Sequence, residues 1–351
     1  MNALTGEKLE LLRSGTVIPA HPLALDSNRQ LSARYQRALT RYYIDAGAGG
    51  IAVGVHSTQF EIRDPGFGLY EPVLKLAAEE ADRAGRPFLK IAGVCGPIEQ
   101  ALAETDIARG LAYDMALLSM GNLGDISEEE HLDRVAAVAG NIPVFGFYLQ
   151  PSVGGRVFSY DFWKSFSEIP NVLAIKTAPF NRYYTLDVVR AVCSSSRRDM
   201  ISIYTGNDDN IINDLLTTYS IYTHDGWVEK DIVGGLLGHW AVWTKKAVEM
   251  FNDIKAHKKA GGCIDSAWLT KNIQVTDANA AFFDPAHQFR GCISGIHEVL
   301  LRQGLMETIL CLSDHEQLSP GQSDEIDRVY AAYPDLNDDD FVRENLAKWL
   351  G

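Results

Sequence analysis

The sequence has few features that would mark it for membranes, nucleic acids or oxidising surroundings. It holds five cysteines in 351 residues (Cys95, Cys193, Cys263, Cys292 and Cys311), widely scattered and without a Cys-x-x-Cys pair. That pattern supplies neither a disulfide framework nor a structural zinc site and fits reduced thiols in a cytoplasmic protein. No apolar run approaches the roughly 20 residues needed to span a bilayer. The N-terminus lacks the basic segment followed by an apolar core that marks a secretory signal. Positive charge is also scarce: 32 Lys and Arg stand against 46 Asp and Glu, a formal charge of −14. Nucleic acid and anionic membrane are therefore excluded as partners, although a local pocket for a small anion is not. No glycine-rich nucleotide fingerprint follows the first apolar run, and no low-complexity linker divides the chain.

The first two thirds carry a rhythm. Eight apolar, strand-like runs begin at Thr16, Gly50, Phe88, Asp114, Val144, Val172, Ile201 and Asp231, about thirty residues apart. That is the length of a strand, a helix and two loops. The intervening segments read as helices with caps. Leu31 to Gly47 has apolar residues at helical spacing, Pro97 to Gly110 opens on proline and closes on glycine, and Ser127 with Glu130 forms a capping box. Eight such units predict an α/β fold, a (β/α)8 barrel over residues 1–239. Gly234-Gly235-Leu236-Leu237-Gly238 lacks the Lys-Ser/Thr of a phosphate loop and reads as the last strand and its exit. From Trp240 to residue 351 the pattern is helical only, with candidates at Trp240–Ile254, Ala281–Gly304, Gly321–Tyr333 and Asp338–Leu350. Asn337-Asp338-Asp339-Asp340 reads as the acidic start of the last helix.

Lys176 stands out in this frame. It lies within Val172-Leu173-Ala174-Ile175-Lys176-Thr177-Ala178, an apolar run after the turn signal Pro170-Asn171. A lysine there either points to solvent from a half-exposed strand or is buried. Burial lowers its pKa and leaves a neutral amine that can attack a carbonyl and form an imine. Functional side chains of a (β/α)8 barrel lie at the C-terminal strand ends. The fifth run ends in Phe147-Tyr148-Leu149-Gln150-Pro151-Ser152, and Tyr148 precedes Lys176 by one 28-residue repeat, so the two side chains are expected to meet in the barrel mouth. The other reading of Tyr148 is a core aromatic. The second run ends in Gly54-Val55-His56-Ser57-Thr58-Gln59, a polar loop in which His56 serves either as a general acid or as a packing residue.

Tyr148-Leu149-Gln150-Pro151-Ser152 and Pro170-Asn171-Val172-Leu173-Ala174-Ile175-Lys176 resemble the Tyr-Asn-x-Pro-Ser and lysine motifs of the dihydrodipicolinate synthase and N-acetylneuraminate lyase superfamily. The likeness extends over nearly the whole chain, with Phe289-Arg290-Gly291 and Leu300-Leu301-Arg302-Gln303-Gly304 resembling the helical extension. It implies a Schiff-base lyase, an aldolase or a dehydratase, that needs no cofactor or metal and forms a homo-oligomer, dimer or tetramer. Lys176 would form the imine with a 2-oxo acid such as pyruvate, and Tyr148 would relay protons. Ser57 and Thr58 would hold the substrate carboxylate, as the family's Gly-Thr-Thr-Gly-Glu loop does. The departures matter as much. The loop's second glycine is missing, and Ser119-Met120-Gly121-Asn122-Leu123 lacks the synthase's second tyrosine, leaving Asn122 as a polar substitute or a turn residue. Val153 stands where an arginine for the second substrate is expected. These differences point away from dihydrodipicolinate synthesis. In Thr205-Gly206-Asn207-Asp208, Asn207 or Asp208 is expected to touch the distal part of the substrate, with a helix N-cap as the other duty. His21, expected near the barrel floor, is given no catalytic part. Two other classes remain: a receptor that binds a 2-oxo acid without turnover, and a metal-dependent lyase using His21, His56, Glu61 and His239.

Overall fold

Eight parallel strands close around one axis in the computed structural model, which describes residues 4–124 and 126–351. They are β1 (Val17–Pro19), β2 (Gly50–Val53), β3 (Leu89–Val94), β4 (Met115–Ser119), β5 (Val144–Leu149), β6 (Val172–Ala178), β7 (Ser202–Thr205) and the second half of β9 (Gly226–Leu237). Neighbours pair in sequence from β2 to β7, then β7 with β9 and β9 with β1. A single bridge from Ala20 to Ala52 joins the ends of β1 and β2 and closes the (β/α)8 barrel. Gly234 and Gly235 lie within β9, paired with Tyr204 and Thr205, as a last strand requires.

Helices fill the crossovers and form the tail: α1 (Gly6–Ser14), α2 (Ala33–Ala46), α3 (Tyr70–Ala81), α4 (Ile98–Gly110), α5 (Glu128–Ala139), α6 (Tyr160–Glu168), α7 (Arg182–Cys193) and α8 (Ile211–Leu216), then α9 (Thr244–Ala260), α10 (Ala267–Phe283), α11 (Cys292–Arg302), α12 (Gln322–Ala332) and α13 (Asp339–Leu350). The Ser127–Glu130 capping box forms with both of its hydrogen bonds. Two elements depart from expectation. The eighth unit inserts β8 (Thr218–Thr223), which pairs antiparallel with the start of β9 through a tight turn closed by Gly226 at φ 100°. The tail also gains α10, whose Leu269 and Ile273 face solvent and blur the amphipathic pattern.

The strands divide the core in two, because alternate side chains point to opposite faces. One cluster fills the barrel: Ile18, Ala52, Ile91, Leu117, Phe145, Phe147, Leu149, Tyr204 and Leu236 among others. The other lies between strands and helices and runs from Val17 through Tyr148 and Trp163 to Trp349 of the tail. The final helix is fastened to α2: Tyr42 donates to Asp338 at 2.7 Å and the Trp349 indole N–H donates to Asp45 at 2.7 Å. The acidic tract thus splits its duties, with Asp338 buried as an acceptor and Asp339 and Asp340 in the first turn of α13. No helix among the described residues is long and apolar enough to cross a membrane.

Candidate active site

Lys176 belongs to the barrel interior. It lies on β6 between Phe147 of β5 and Tyr204 of β7, its partners in the two flanking ladders. The residue is 8% exposed, and Nζ lies 4.2 Å from the centre of the Phe147 ring with no hydrogen-bond partner among the described residues. Gly206, after β7, makes room for it: a Cβ at that position would sit 2.4 Å from Lys176 Cε. The lysine opens onto a cavity of about 80 Å³ at the C-terminal end of the barrel. One water needs about 10–15 Å³ on this scale, so the enclosed part takes several waters, and with its open mouth the empty space is about 630 Å³. Strand ends and tail build it together, since Phe283 of α10 and Cys292 and Ile296 of α11 line it alongside Phe147, Leu149 and Lys176.

Tyr148 is not in this cavity. In a parallel pair, partnered residues point the same way, and the partner of Lys176 is Phe147; Tyr148 pairs with Thr177 on the outer face. Its ring packs on Trp163 at 4.9 Å and near Phe158 and Tyr184, and its hydroxyl is buried without a partner. Burial pushes that hydroxyl up to about 12. The cause of the misplacement is one extra residue in β6. Val144 pairs with Val172, the expected 28-residue offset, but Phe145 pairs with Ala174, so the ladder shifts at Leu173. A one-residue slip turns every later side chain to the other face. The meeting of Tyr148 with Lys176 expected from the spacing is therefore corrected: the aromatic facing Lys176 is Phe147, which has no proton to give.

The loop after β2 divides its residues between substrate space and scaffold. His56 and Ser57 line the cavity. Burial, then the neighbouring Lys176 charge, lowers the His56 pKa to about 4, so its imidazole is neutral at pH 7. Ser57 Oγ donates to Ala20 O at 2.9 Å and keeps its lone pairs available. Thr58 is fully enclosed: its hydroxyl donates to His21 O at 2.6 Å and accepts from Gly54 N–H at 3.0 Å, which ties the loop rather than serving a ligand. Gln59 adopts φ 67° where the resembling loop has its second glycine.

Two further expectations are corrected. Asn122 is exposed, holds φ 56°, and has its N–H on Gly154 O at 2.9 Å, a turn role outside the cavity. Asn207 is enclosed beneath the surface, accepting from Phe180 N–H and donating to Thr185 and Asp214, so it stays away from the cavity. Its neighbour Asp208 is the residue that lines the cavity. The backbone N–H of His239 donates to Asp208 Oδ1 at 2.9 Å, and Asn279 of α10 donates to the Asp208 carbonyl at 2.6 Å. Burial pushes the Asp208 carboxyl up, against the pull of His239 N–H and of Lys176. Burial pulls the Lys176 amine down, and Asp208 offsets part of that. The two thus approach each other in proton affinity, as acid–base partners do near neutral pH.

His21 turns outward to α2, with Nε2 2.8 Å from Thr40 Oγ1 and the ring edge-on to Tyr43. His21, His56, Glu61 and His239 form no cluster: among the described residues no three His, Cys, Asp or Glu side chains are grouped as metal ligands. No protein-family model matches the chain, and no curated protein does. Solved structures do. The dihydrodipicolinate synthase of Acinetobacter baumannii, complexed with pyruvate, superposes with a TM-score of 0.72 at 18% identity, over 92% of this chain and 98% of that one. The N-acetylneuraminate lyase of Fusobacterium nucleatum gives 0.70 at 15%, over 92% and 99%. A prophage protein of the dihydrodipicolinic acid synthase family from E. coli K12, also complexed with pyruvate, gives 0.72 at 16%, over 92% and 98%. The chain therefore has the (β/α)8 fold of these dihydrodipicolinate synthases and N-acetylneuraminate lyases, at 15–18% sequence identity to them.

Proposed function

We propose that this protein is a lyase that acts on a 2-oxo acid through an imine on Lys176, with Asp208 and His56 moving the protons. The observation that carries the reading is Lys176 itself, buried at the C-terminal end of a barrel strand, facing a small cavity, with its amine held below the ordinary lysine range. The neutral amine attacks the C2 carbonyl, water leaves, and the imine nitrogen becomes an electron sink for a carbanion at C3. For a 4-hydroxy-2-oxo acid, Asp208 takes the hydroxyl proton as the C3–C4 bond breaks; the bonding pair moves into the enamine and an aldehyde departs. Protonation at C3 and hydrolysis then return Lys176. Neutral His56 and Ser57 face the same space and can hydrogen-bond the carboxylate or the carbinolamine hydroxyl.

The same motifs and fold support an imine-forming receptor without turnover, and Phe147 opposite Lys176 favours that second reading, because a relay hydroxyl is missing there. Turnover separates the two. Chromatographic assay of 4-hydroxy-2-oxo and 3-deoxy-2-oxo acids, with Lys176→Ala as control, is expected to show cleavage or dehydration that the variant loses. Binding of these acids without product formation would replace the lyase by the receptor.

A further inference from the structure

Phe180 and Phe289 come from distant parts of the chain and meet at the cavity, their rings 5.8 Å apart and inclined by 68°. Both hold left-handed backbone conformations, φ 50° and φ 64°, which bulky residues seldom adopt. Each is tied in place. Phe180 N–H donates to Asn207 Oδ1 at 3.1 Å, which gives the buried Asn207 its purpose. Phe289 N–H donates to Asp284 O at 3.0 Å, and Gln288 and Asp284 are left-handed as well. Such conformations persist where surrounding structure enforces them, and they gather at ligand clamps.

Much of the rest of the cavity lining is also apolar. Leu149, Val153, Phe283 and Ile296 belong to it, with Val153 standing where an arginine is expected from the resembling motif. The polar side chains of the lining besides Lys176 are His56, Ser57, Gln150 and Asp208, of which His56 and Asp208 are close enough to the amine to feel its charge. A polyhydroxylated chain entering here would surrender water without finding partners, whereas an apolar one would be favoured by every contact.

We infer that Phe180 and Phe289 form an aromatic clamp that selects 2-oxo acids whose distal part is apolar or aromatic rather than a sugar chain. This rests on Lys176 as the anchor for the 2-oxo group. Calorimetric titration with pyruvate, 4-phenyl-2-oxobutanoate and a six-carbon 3-deoxy-2-oxo sugar acid tests it. The phenyl acid is expected to bind at least tenfold more tightly than either of the others. Phe289→Leu, or Phe180→Leu if the first variant does not fold, is expected to narrow that gap several-fold. Equal affinities, a preference for the sugar acid, or no binding of the phenyl acid would overturn the clamp. Borohydride trapping of pyruvate reports separately on the anchor. A trapped adduct without phenyl preference removes the clamp alone; a phenyl preference without any adduct removes the imine alone.

Discussion

Phe147 and Lys176 are direct partners in the β5–β6 ladder, with the lysine Nζ 4.2 Å from the centre of the phenylalanine ring. The ring face attracts a protonated amine by about 0.5–2 kcal/mol. That attraction opposes the burial that favours the neutral form, and the amine still lies below its ordinary range. The ring faces the amine and carries no ionisable proton. In the proposed reaction, acid–base work falls to Asp208 and His56, which line the cavity.

Tyr148→Phe gives a sharp contrast. The lost hydroxyl has no hydrogen-bond partner and lies outside the cavity. Turnover is expected to change less than about twofold, with thermal stability equal or slightly higher. A relay tyrosine would cost about 10²–10⁴-fold, and a kcat measurement distinguishes the two.

Asp208→Asn removes the carboxylate while keeping the shape, and Oδ1 of the asparagine can still accept from His239 N–H. Turnover is expected to fall by about 10²–10³-fold. Asp208 raises the Lys176 pKa, so its neutralisation moves the amine further down. The rising limb in the pH dependence of imine formation is therefore expected to shift to lower pH. A shift upward, or none, contradicts the pairing.

Gly206→Ala tests the space around the lysine. The new Cβ would lie 2.4 Å from Lys176 Cε and 2.8 Å from Ala178 Cβ, so the lysine must leave its position. The rate of adduct formation is expected to fall at least tenfold while circular dichroism stays native. Unchanged adduct formation would show that the lysine does not react from this position.

Acid stability follows from four enclosed histidines. Burial lowers His21, His131, His239 and His297 to about 4. Between that value and the unfolded value near 6.5, the unfolded chain binds more protons, so stability falls as pH falls through this window. Each histidine contributes about 1.4 kcal/mol per pH unit there and nothing above it. Urea unfolding at pH 7 and pH 5 is expected to show a marked loss at the lower pH; a flat profile would contradict neutral burial.

Local signals made most of this fold legible. The strand rhythm, the Ser127–Glu130 cap and the run around Lys176 depend on neighbours within a few residues, and each reappears in the structure. What the sequence concealed depends on distant contacts. The extra residue at Leu173 changes the ladder without leaving a mark in the motif spacing, so Tyr148 looked adjacent to Lys176 when Phe147 was. The choice between Asn207 and Asp208 is made by Thr185, Asp214 and α10, over 70 residues away at Asn279. Thr58 carries the hydroxyl that the carboxylate-loop motif calls for, yet its pairing with His21 O commits it to the scaffold.

The most direct test of the central claim is reductive trapping. The protein is incubated with pyruvate or 4-phenyl-2-oxobutanoate, reduced with borohydride, and digested for peptide mass spectrometry. The expected result is one adduct, on the peptide containing Lys176, absent from Lys176→Ala and retained in Tyr148→Phe. No adduct with either acid, or an adduct on another lysine, would contradict imine chemistry at Lys176.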